Sequence, residues 1–263
     1  MPSPEKLATD ATVAIMLADG FEEVEALAVA DVLYRAGVRS DLISVTDARH
    51  VTSSHGIRVV ADLMLEDVDL STYTVLFLPG GMPGTLNLKA TPAIQTEVLR
   101  RSDEALPIAA ICAAPSILSE LGILDGRHAT ANPAFVKAIA EGGAIVHENP
   151  VVADEFITTS RGAGTALELG LELVRQLLGD EAAAEAARAL EAQGFDPAQL
   201  PPEFSNPERM RAALGQFQFL MNTTAGPVNW RVVEDSAKQT AYAGGDPAPT
   251  ATEAEAARQA MSV

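Results

Sequence analysis

Cysteine is almost absent from this sequence: Cys112 is the only one in 263 residues. A single cysteine cannot form an internal disulfide, so nothing in the chain calls for an oxidising compartment. No stretch approaches the roughly 18 apolar residues of a membrane-spanning helix. The N-terminus also lacks a basic segment followed by a long apolar run. We therefore expect a cytoplasmic protein with no membrane partner.

Basic residues are scarce as well. The chain has 18 lysines and arginines against 36 aspartates and glutamates, which gives a formal net charge of -18. Such a charge repels phosphate backbones and anionic lipid surfaces, so nucleic acid is not expected as a tightly bound partner. The acids are spread along the chain rather than gathered in a tail, which indicates a charged surface more than a specific site.

Apolar runs alternate with helical patterns over the first 180 residues. Continuous apolar runs predict buried strands at 12–18, 40–45, 74–81 and 106–112. Periodic apolar spacing predicts helices at 19–37, 84–101, 113–121 and 164–178. Two further segments, 50–62 and 144–160, have the turn residues of antiparallel hairpins. Strands that are apolar throughout and alternate with helices indicate an α/β fold with a mostly parallel sheet covered on both faces.

The composition changes near residue 180. The segment EAAAEAARALEAQ is a strong helix former, and a proline-rich stretch and a polar, alanine-rich tail follow it. We expect an α/β domain over residues 11–180 and a helical, partly disordered C-terminal extension over residues 181–263. The sequence assigns no function to the extension.

Cys112 ends one of the predicted strands, in the run IAAICAAPSI. Free cysteines are most often small buried core residues, and that alternative applies here. However, the carboxyl ends of the strands form the ligand site of an open α/β sheet. A cysteine at a sharp strand-to-helix turn has strained backbone angles and points into the cleft. A helix N-terminus there favours the thiolate and predicts a lowered pKa for Cys112.

Two other predicted strand ends carry groups that suit a cysteine nucleophile. The backbone N–H groups of Gly80 and Gly81, in LPGGMPG, can hold an oxyanion, although a plain glycine turn is the commoner reading of such a run. Glu22, Glu23 and Glu25 follow the first strand, where acids usually just complement the helix dipole. A carboxyl buried beside the sulfur has a raised pKa and can move a proton.

The motifs DGFEEVEAL, ADVLYRAG, LPGGMPGTLNL, AAICAAPSIL and TTSRGAGTALELGL occur in this order over residues 11–180. Together they resemble the ThiJ/PfpI superfamily, in its Parkinsonism-associated deglycase-like branch. The resemblance implies a flavodoxin-like three-layer sandwich that forms a homodimer. It also implies Cys112 as nucleophile, Glu25 as its protonated partner and the Gly80 and Gly81 amides as the oxyanion site.

The chain departs from relatives at two positions near the cysteine. Ala113 stands where protease-like relatives have histidine, so a Cys-His dyad is absent and peptidase activity is disfavoured. Asn132 stands where several deglycase-like members have histidine, and its amide can bind substrate but cannot act as a base. We include Ala113 and Asn132 among the substrate-binding positions.

His55 lies in the hairpin segment that, in relatives, reaches toward the partner subunit's site. We therefore include it among the candidate substrate-binding positions, although an ordinary surface histidine is the simpler interpretation. His50, His128 and His147 have no spacing typical of a metal site, so no metal is expected. The G-x-G in SRGAGT is too short for a dinucleotide fingerprint, which argues against NAD.

The residues and the resemblance together favour a cofactor-independent enzyme of reactive-carbonyl detoxification. Its substrates would be methylglyoxal, glyoxal or their early glycation adducts, and glutathione would not be needed. Cys112 would attack the aldehyde, and Glu25 would move the proton between the substrate carbons. Two alternatives remain open at this stage. One is a redox-responsive or chaperone-like protein with an oxidisable Cys112, and the other is a hydro-lyase or hydrolase such as an isonitrile hydratase.

Overall fold

The structure of the protein is a computed structural model, and it describes residue 4 and residues 6–191. The predicted C-terminal extension beyond residue 191 lies outside the described residues. Eleven strands are present in the described part: β1 (Thr12–Leu17), β2 (Arg39–Ser44), β3 (His50–Thr52), β4 (Arg58–Val60), β5 (Leu63–Met64), β6 (Val75–Leu78), β7 (Ile108–Ile111), β8 (His128–Ala129), β9 (Ile145–Val146), β10 (Val151–Asp154) and β11 (Ile157–Ser160). The helices there are α1 (Glu23–Arg35), α2 (Gly84–Ala90), α3 (Pro92–Asp103), α4 (Pro115–Glu120), α5 (Val136–Glu141), α6 (Ala166–Leu178) and α7 (Asp180–Glu191).

Seven strands form the central sheet in the order β10-β11-β7-β6-β1-β2-β5. All neighbouring pairs are parallel except β10 and β11, which are antiparallel. The five central strands follow the flavodoxin order, in which the chain changes direction across the sheet between β1 and β6. Ligands of such sheets bind at the carboxyl ends of the strands that flank this switch point.

Helices cover both faces of the sheet, and β1 is apolar throughout because it contacts both layers. Val13, Ile15 and Leu17 pack with α1, α6 and α7 on one face. Ala14 and Met16 pack on the other face with α2, α3, α4 and α5. Successive side chains of a strand point to opposite faces, so a strand buried on both sides needs no polar residue. The structure therefore has the expected three-layer α/β sandwich with a mostly parallel sheet.

The single helix predicted over 84–101 is two helices. Thr91 lies between α2 and α3 in an extended conformation, with φ -86° and ψ 109°. The residue before a proline is disfavoured in helical geometry, and Pro92 has no N–H to continue the helix. Pro92 instead starts α3, a position that proline tolerates well.

The segment 144–160 is more than the predicted hairpin. Strands β10 and β11 do pair antiparallel, but β9 pairs in parallel with β8, outside the central sheet. Strand β11 also lies parallel to β7. This pairing brings the carboxyl end of β11 beside the end of β7, where Cys112 follows.

Helix α7 is part of the same domain, although the predicted boundary lies at residue 180. Ala182, Ala183 and Leu190 pack against the core that α1 and α6 cover, and Ala186 is 3% exposed within it. Contacts divide the chain after Gly194 instead, into the units Met1–Gly194 and Phe195–Val263, and the second unit lies outside the described residues. Among the helices of the described part, none is long and apolar enough to cross a membrane.

Candidate active site

Cys112 forms a sharp turn between β7 and α4. Its backbone has φ +64°, a left-handed conformation that residues other than glycine rarely adopt. Two backbone hydrogen bonds hold the turn: the Cys112 N–H donates to the Ser160 oxygen, and the Asn132 N–H donates to the Cys112 oxygen, each at 2.9 Å. Such a conformation costs about 1–3 kcal/mol and persists only where the surroundings enforce it. The predicted strained backbone at the strand end is confirmed.

Glu25 lies in the first turn of α1 and is 1% exposed. Its Oε2 accepts a hydrogen bond from the Gly80 N–H at 2.8 Å. Its Oε1 is buried and makes no hydrogen bond of ordinary geometry with the described residues. The Cys112 thiol interacts directly with this carboxyl. Glu25 therefore has one oxygen fixed by the Gly80 N–H, and its other oxygen lies where the Cys112 thiol and the Ala163 backbone act on the carboxyl.

The glycines after β6 let the backbone approach both groups. An ideal Cβ on Gly80 would lie 2.6 Å from Cys112 Cβ and 2.7 Å from Glu25 Oε2. Gly81 has φ +89°, and a Cβ there would lie 2.4 Å from the Glu22 nitrogen. Any side chain at these two positions would push apart the ends of β1, β6 and β7. Close approach thus explains the glycine pair.

The Gly80 N–H does not take the role that the sequence predicts. It donates to Glu25, so it orients the carboxyl instead of facing a substrate oxygen. The backbone N–H groups that act on the Cys112 sulfur are those of Gly81 and Ala113. The backbone donors at the sulfur are therefore those of Gly81 and Ala113 and not the predicted pair of Gly80 and Gly81, because the Gly80 N–H is bonded to Glu25.

The environment raises the pKa of both Glu25 and Cys112. Burial raises the pKa of Glu25 to about 7, against the lowering effect of hydrogen bonds from Cys112 and from the Gly80 and Ala163 backbone. The pKa of Cys112 is raised to about 12, first by burial and then by the neighbouring Glu25 carboxyl. The predicted lowering of the Cys112 pKa by a helix N-terminus is wrong. Helix α4 begins three residues later and has only six residues, so its dipole is outweighed.

The two groups must be treated as one titrating pair. With Glu25 ionised, its negative charge holds the proton on the thiol. With the proton on Glu25, the carboxyl becomes a hydrogen-bond donor and stabilises a thiolate. The pair with a single proton thus interconverts between a thiol beside a carboxylate and a thiolate beside a carboxylic acid. The second form is suited to nucleophilic attack with proton donation.

Asn132 and His55 differ in their relation to this site. The Asn132 Oδ1 accepts the Ala134 N–H at 3.0 Å, and its Nδ2 borders the space beside Gly162, Glu25 and Cys112. His55 lies on the turn between β3 and β4 with its side chain 65% exposed, and its Nδ1 is 2.8 Å from Glu23 Oε1. Asn132 is thus brought to the cysteine, whereas the contacts of the His55 ring are with Glu23 at the start of α1 and with the neighbouring Ser54 hydroxyl.

One group of possible metal ligands and one pair of histidines in direct contact occur in the part of the chain that the structure describes. Glu22, Glu23 and His55 bring one ligand atom each to within 4.8 Å of one another. His128 Nδ1 and His147 Nε2 lie 2.6 Å apart, because β8 and β9 run side by side. Sequence spacing did not reveal the histidine pair, since 19 residues separate its members and only the strand pairing joins them.

Comparison with known proteins gives the family. The sequence matches the DJ-1/PfpI family over residues 11–176. The chain belongs to the DJ-1/PfpI family. The fold and the DJ-1-like branch expected from the sequence motifs are thereby confirmed.

Several DJ-1 proteins are similar to this chain in sequence. Protein DJ-1 homolog A of Arabidopsis thaliana is 38% identical over 180 residues, which is 68% of this chain and 46% of that protein. Protein dj-1beta of Drosophila melanogaster is 33% identical over 67% of this chain and 94% of its own length. The glutathione-independent glyoxalase DJR-1.2 of Caenorhabditis elegans is 34% identical over 61% of this chain and 84% of that protein. The chain thus spans less than half the length of the Arabidopsis relative.

Solved structures agree with the DJ-1 fold. Oxidised DJ-1 of Toxoplasma gondii covers 69% of this chain and 98% of its own length, with a TM-score of 0.65 and 33% identity. The structure of Drosophila DJ-1beta covers 70% of this chain and 98% of that chain, with a TM-score of 0.66 and 30% identity.

Sequence reasoning missed one contributor to the site. Gly162 and the Ala163 N–H follow β11 and lie against Glu25. The run SRGAGT at the end of a strand was the available signal, and it served as a family motif and as an argument against NAD, without its residues being assigned to the site. The parallel pairing of β11 with β7 makes it part of the cysteine site.

Proposed function

We propose that this DJ-1/PfpI protein is a cysteine-dependent, cofactor-independent enzyme that converts reactive 1,2-dicarbonyls such as methylglyoxal and glyoxal to hydroxy acids. The observation that carries the proposal is the pair of Cys112 and the buried Glu25, whose pKa is raised to about 7. A carboxyl that holds a proton near neutral pH can serve as acid and then as base. The similarity to a glutathione-independent glyoxalase supports the same activity.

The reaction would proceed in three steps that need no oxidant or reductant. The Cys112 sulfur attacks the aldehyde carbon, and the oxygen takes the Glu25 proton to give a hemithioacetal. The N–H groups of Gly81 and Ala113 stabilise the oxyanion as it develops. The Glu25 carboxylate then removes the hydrogen of that carbon as a proton and delivers it to the neighbouring carbon. The hydroxyl proton of the hemithioacetal passes to the neighbouring oxygen, which leaves a thioester and a new hydroxyl. Water finally hydrolyses the thioester to the hydroxy acid and the free thiol.

Lactate formation from methylglyoxal tests this activity. The wild-type protein should produce lactate without added glutathione, and Cys112→Ser and Cys112→Ala should reduce the rate to background. Full lactate production by Cys112→Ser would refute the proposal. Release of lactate and free amine from methylglyoxal-glycated amines in the same assay would extend the activity to a deglycase, which the same Cys112 chemistry allows.

A second role, as a redox-responsive stress protein, draws support from the similarity to a DJ-1 structure in an oxidised state. In this proposal the Cys112 sulfur is oxidised to a sulfinate, which the carboxyl of Glu25 and the N–H groups of Gly81 and Ala113 would stabilise. Mass spectrometry after mild peroxide treatment tests it. A stable gain of about 32 Da on the Cys112 peptide, the mass of two oxygens, supports the role, and its absence counts against it.

We also propose that the protein is a homodimer. Four apolar side chains on α1 and on the β3–β4 hairpin are between 36% and 57% exposed: Val24, Leu27, Ile57 and Val60. Exposed apolar groups on adjoining elements are typical of a subunit interface. Light scattering should give twice the chain mass for the wild type and a smaller mass for Leu27→Glu. The expected cytoplasmic location remains a prediction, which fractionation of the producing cells would test.

A further inference from the structure

Gly162 lies where three functional groups of the proposed site meet. It follows β11, whose Ser160 oxygen accepts the Cys112 N–H at 2.9 Å. An ideal Cβ on Gly162 would lie 3.5 Å from Asn132 Nδ2, 3.8 Å from Glu25 Oε1 and 3.9 Å from Cys112 Sγ. The absent side chain therefore faces the nucleophile, the carboxyl oxygen and an amide donor at once.

Gly162 and Gly80 are glycines for different reasons. A Cβ on Gly80 would lie within 2.6–2.9 Å of protein atoms, so the protein itself has no room for it. Around Gly162 the corresponding distances are ordinary van der Waals contacts, so the surrounding protein atoms leave space for a methyl group. The backbone of Gly162, with φ +158°, also favours glycine. Backbone conformation and the room that glycine leaves beside the sulfur are separate reasons for glycine here, with different experimental consequences.

The space beside Gly162 is bordered by polar atoms that can form hydrogen bonds with a ligand. The Asn132 Oδ1 already accepts the Ala134 N–H at 3.0 Å, so the end that borders the space is the Nδ2 donor. Glu25 Oε1 is buried and borders the same space, next to the Cys112 thiol that interacts with this carboxyl. A second substrate oxygen, on the carbon next to the attacked aldehyde, would accept a hydrogen bond from the Asn132 amide donor.

We infer that the space beside Gly162 receives the group attached to the aldehyde carbon, so that residue 162 sets the largest dicarbonyl the enzyme accepts. This inference rests on the proposed function. It assigns Gly162 as a specificity-determining position, and Asn132 as the donor to the second carbonyl oxygen. A methyl group at 162 would narrow the space directly in front of the sulfur.

The experiment compares Gly162→Ala with Gly164→Ala in the full-length protein. A Cβ on Gly164 meets nothing within 4 Å, so this variant adds the same methyl group to the same loop in open space. The substrates are glyoxal, methylglyoxal and phenylglyoxal. For Gly162→Ala the ratio of kcat/KM for phenylglyoxal to that for glyoxal should fall about tenfold or more, the usual effect of one carbon in a tight pocket. For Gly164→Ala the ratio should stay unchanged.

Backbone strain alone predicts a different result. It would lower kcat/KM for all three substrates by the same factor, and that outcome would overturn the inference. If Gly162→Ala fails to fold, the variant Asn132→Ala tests the same space independently. Removing the amide enlarges the same space, so the ratio of phenylglyoxal to glyoxal should rise, and a constant or lower ratio would contradict the inference.

Failure of the proposed function would be visible separately. If the wild type shows no Cys112-dependent turnover of any dicarbonyl, the enzymatic proposal is wrong. The steric role of Gly162 can then still be tested by the rate at which reagents of different size alkylate the Cys112 thiol. Intact-mass kinetics should show that Gly162→Ala slows alkylation by N-ethylmaleimide more than alkylation by the smaller iodoacetamide. Equal slowing of the two reagents would overturn the steric role.

Discussion

Glu25 Oε2 accepts the Gly80 N–H at 2.8 Å, across 55 residues of sequence. This bond joins the helix after β1 to the loop after β6, at the point where the chain reverses direction across the sheet. It fixes one carboxyl oxygen and leaves the other beside Cys112. Much of the expected behaviour of the site follows from this arrangement.

The reactivity of Cys112 should depend on pH through Glu25. Below about pH 7 both groups hold a proton, and loss of the first proton creates the form that includes the thiolate. The rate of iodoacetamide alkylation at Cys112 should therefore rise through about pH 7 in the wild type. Glu25→Gln should lack this rise, because the amide cannot exchange a proton with the sulfur. A rise near pH 7 that persists in Glu25→Gln would contradict the assignment.

The free energy of unfolding should also depend on pH through Glu25. The folded pKa of Glu25 is about 7 against an ordinary 4.5, so between these values the folded protein holds a proton that the unfolded chain has lost. This contribution is fully present below pH 4.5 and disappears as the pH rises through 7, with a total of about 3 kcal/mol. Urea unfolding should show the free energy of unfolding of the wild type falling relative to Glu25→Gln over this range. A constant difference would exclude the raised pKa.

Gly80→Ala should damage both the site and the fold. The added methyl group would meet Cys112 Cβ at 2.6 Å and Glu25 Oε2 at 2.7 Å, so the ends of β6 and β7 must shift. We expect a stability loss of about 1–3 kcal/mol, as for overpacked cores, together with loss of Cys112-dependent turnover. Thermal unfolding and lactate assays measure these effects. Gly164→Ala is the matched control, and equal behaviour of the two variants would count against the close approach.

Arg101 should be a structural requirement far from the cysteine. Its side chain is fully buried, and its guanidinium donates to Glu97 and to the backbone oxygens of Leu70, Tyr73, Thr74 and Pro107. Arg101→Met leaves these acceptors unsatisfied, and we expect a loss of about 3–5 kcal/mol in urea unfolding.

The adjacent Arg100 offers a control for this prediction. It pairs with Glu97 and Glu104 on the partly exposed side of α3, where solvent weakens ion pairs. Arg100→Met should cost clearly less than Arg101→Met. Equal losses would show that burial of the Arg101 network is not what stabilises this region.

The strands that carry the cysteine and its glycine neighbours could be predicted because they are almost entirely apolar. Strands β1, β6 and β7 lie within the predicted segments, and β2 begins one residue before its predicted segment, at Arg39. The short elements β5, β8 and α5 were not predicted, since two to six residues carry too little periodicity. Pro92 is a local signal for a helix break at Thr91. The continuous helical spacing of apolar residues over 84–101 nevertheless led to the prediction of a single helix.

The sequence by itself determined which chemical groups the site contains. They are a lone cysteine at a strand end, acids after β1 and a glycine pair after β6. Only the tertiary structure decided how these groups are used. Burial and the proximity of Glu25 raise the pKa of Cys112, where local helix geometry alone predicted a lower one. The Gly80 N–H is engaged by a carboxylate 55 residues away, and Gly162 enters the site through the pairing of β11 with β7. Hydrogen-bond partners and desolvation depend on atoms brought from distant segments, which local sequence patterns do not encode.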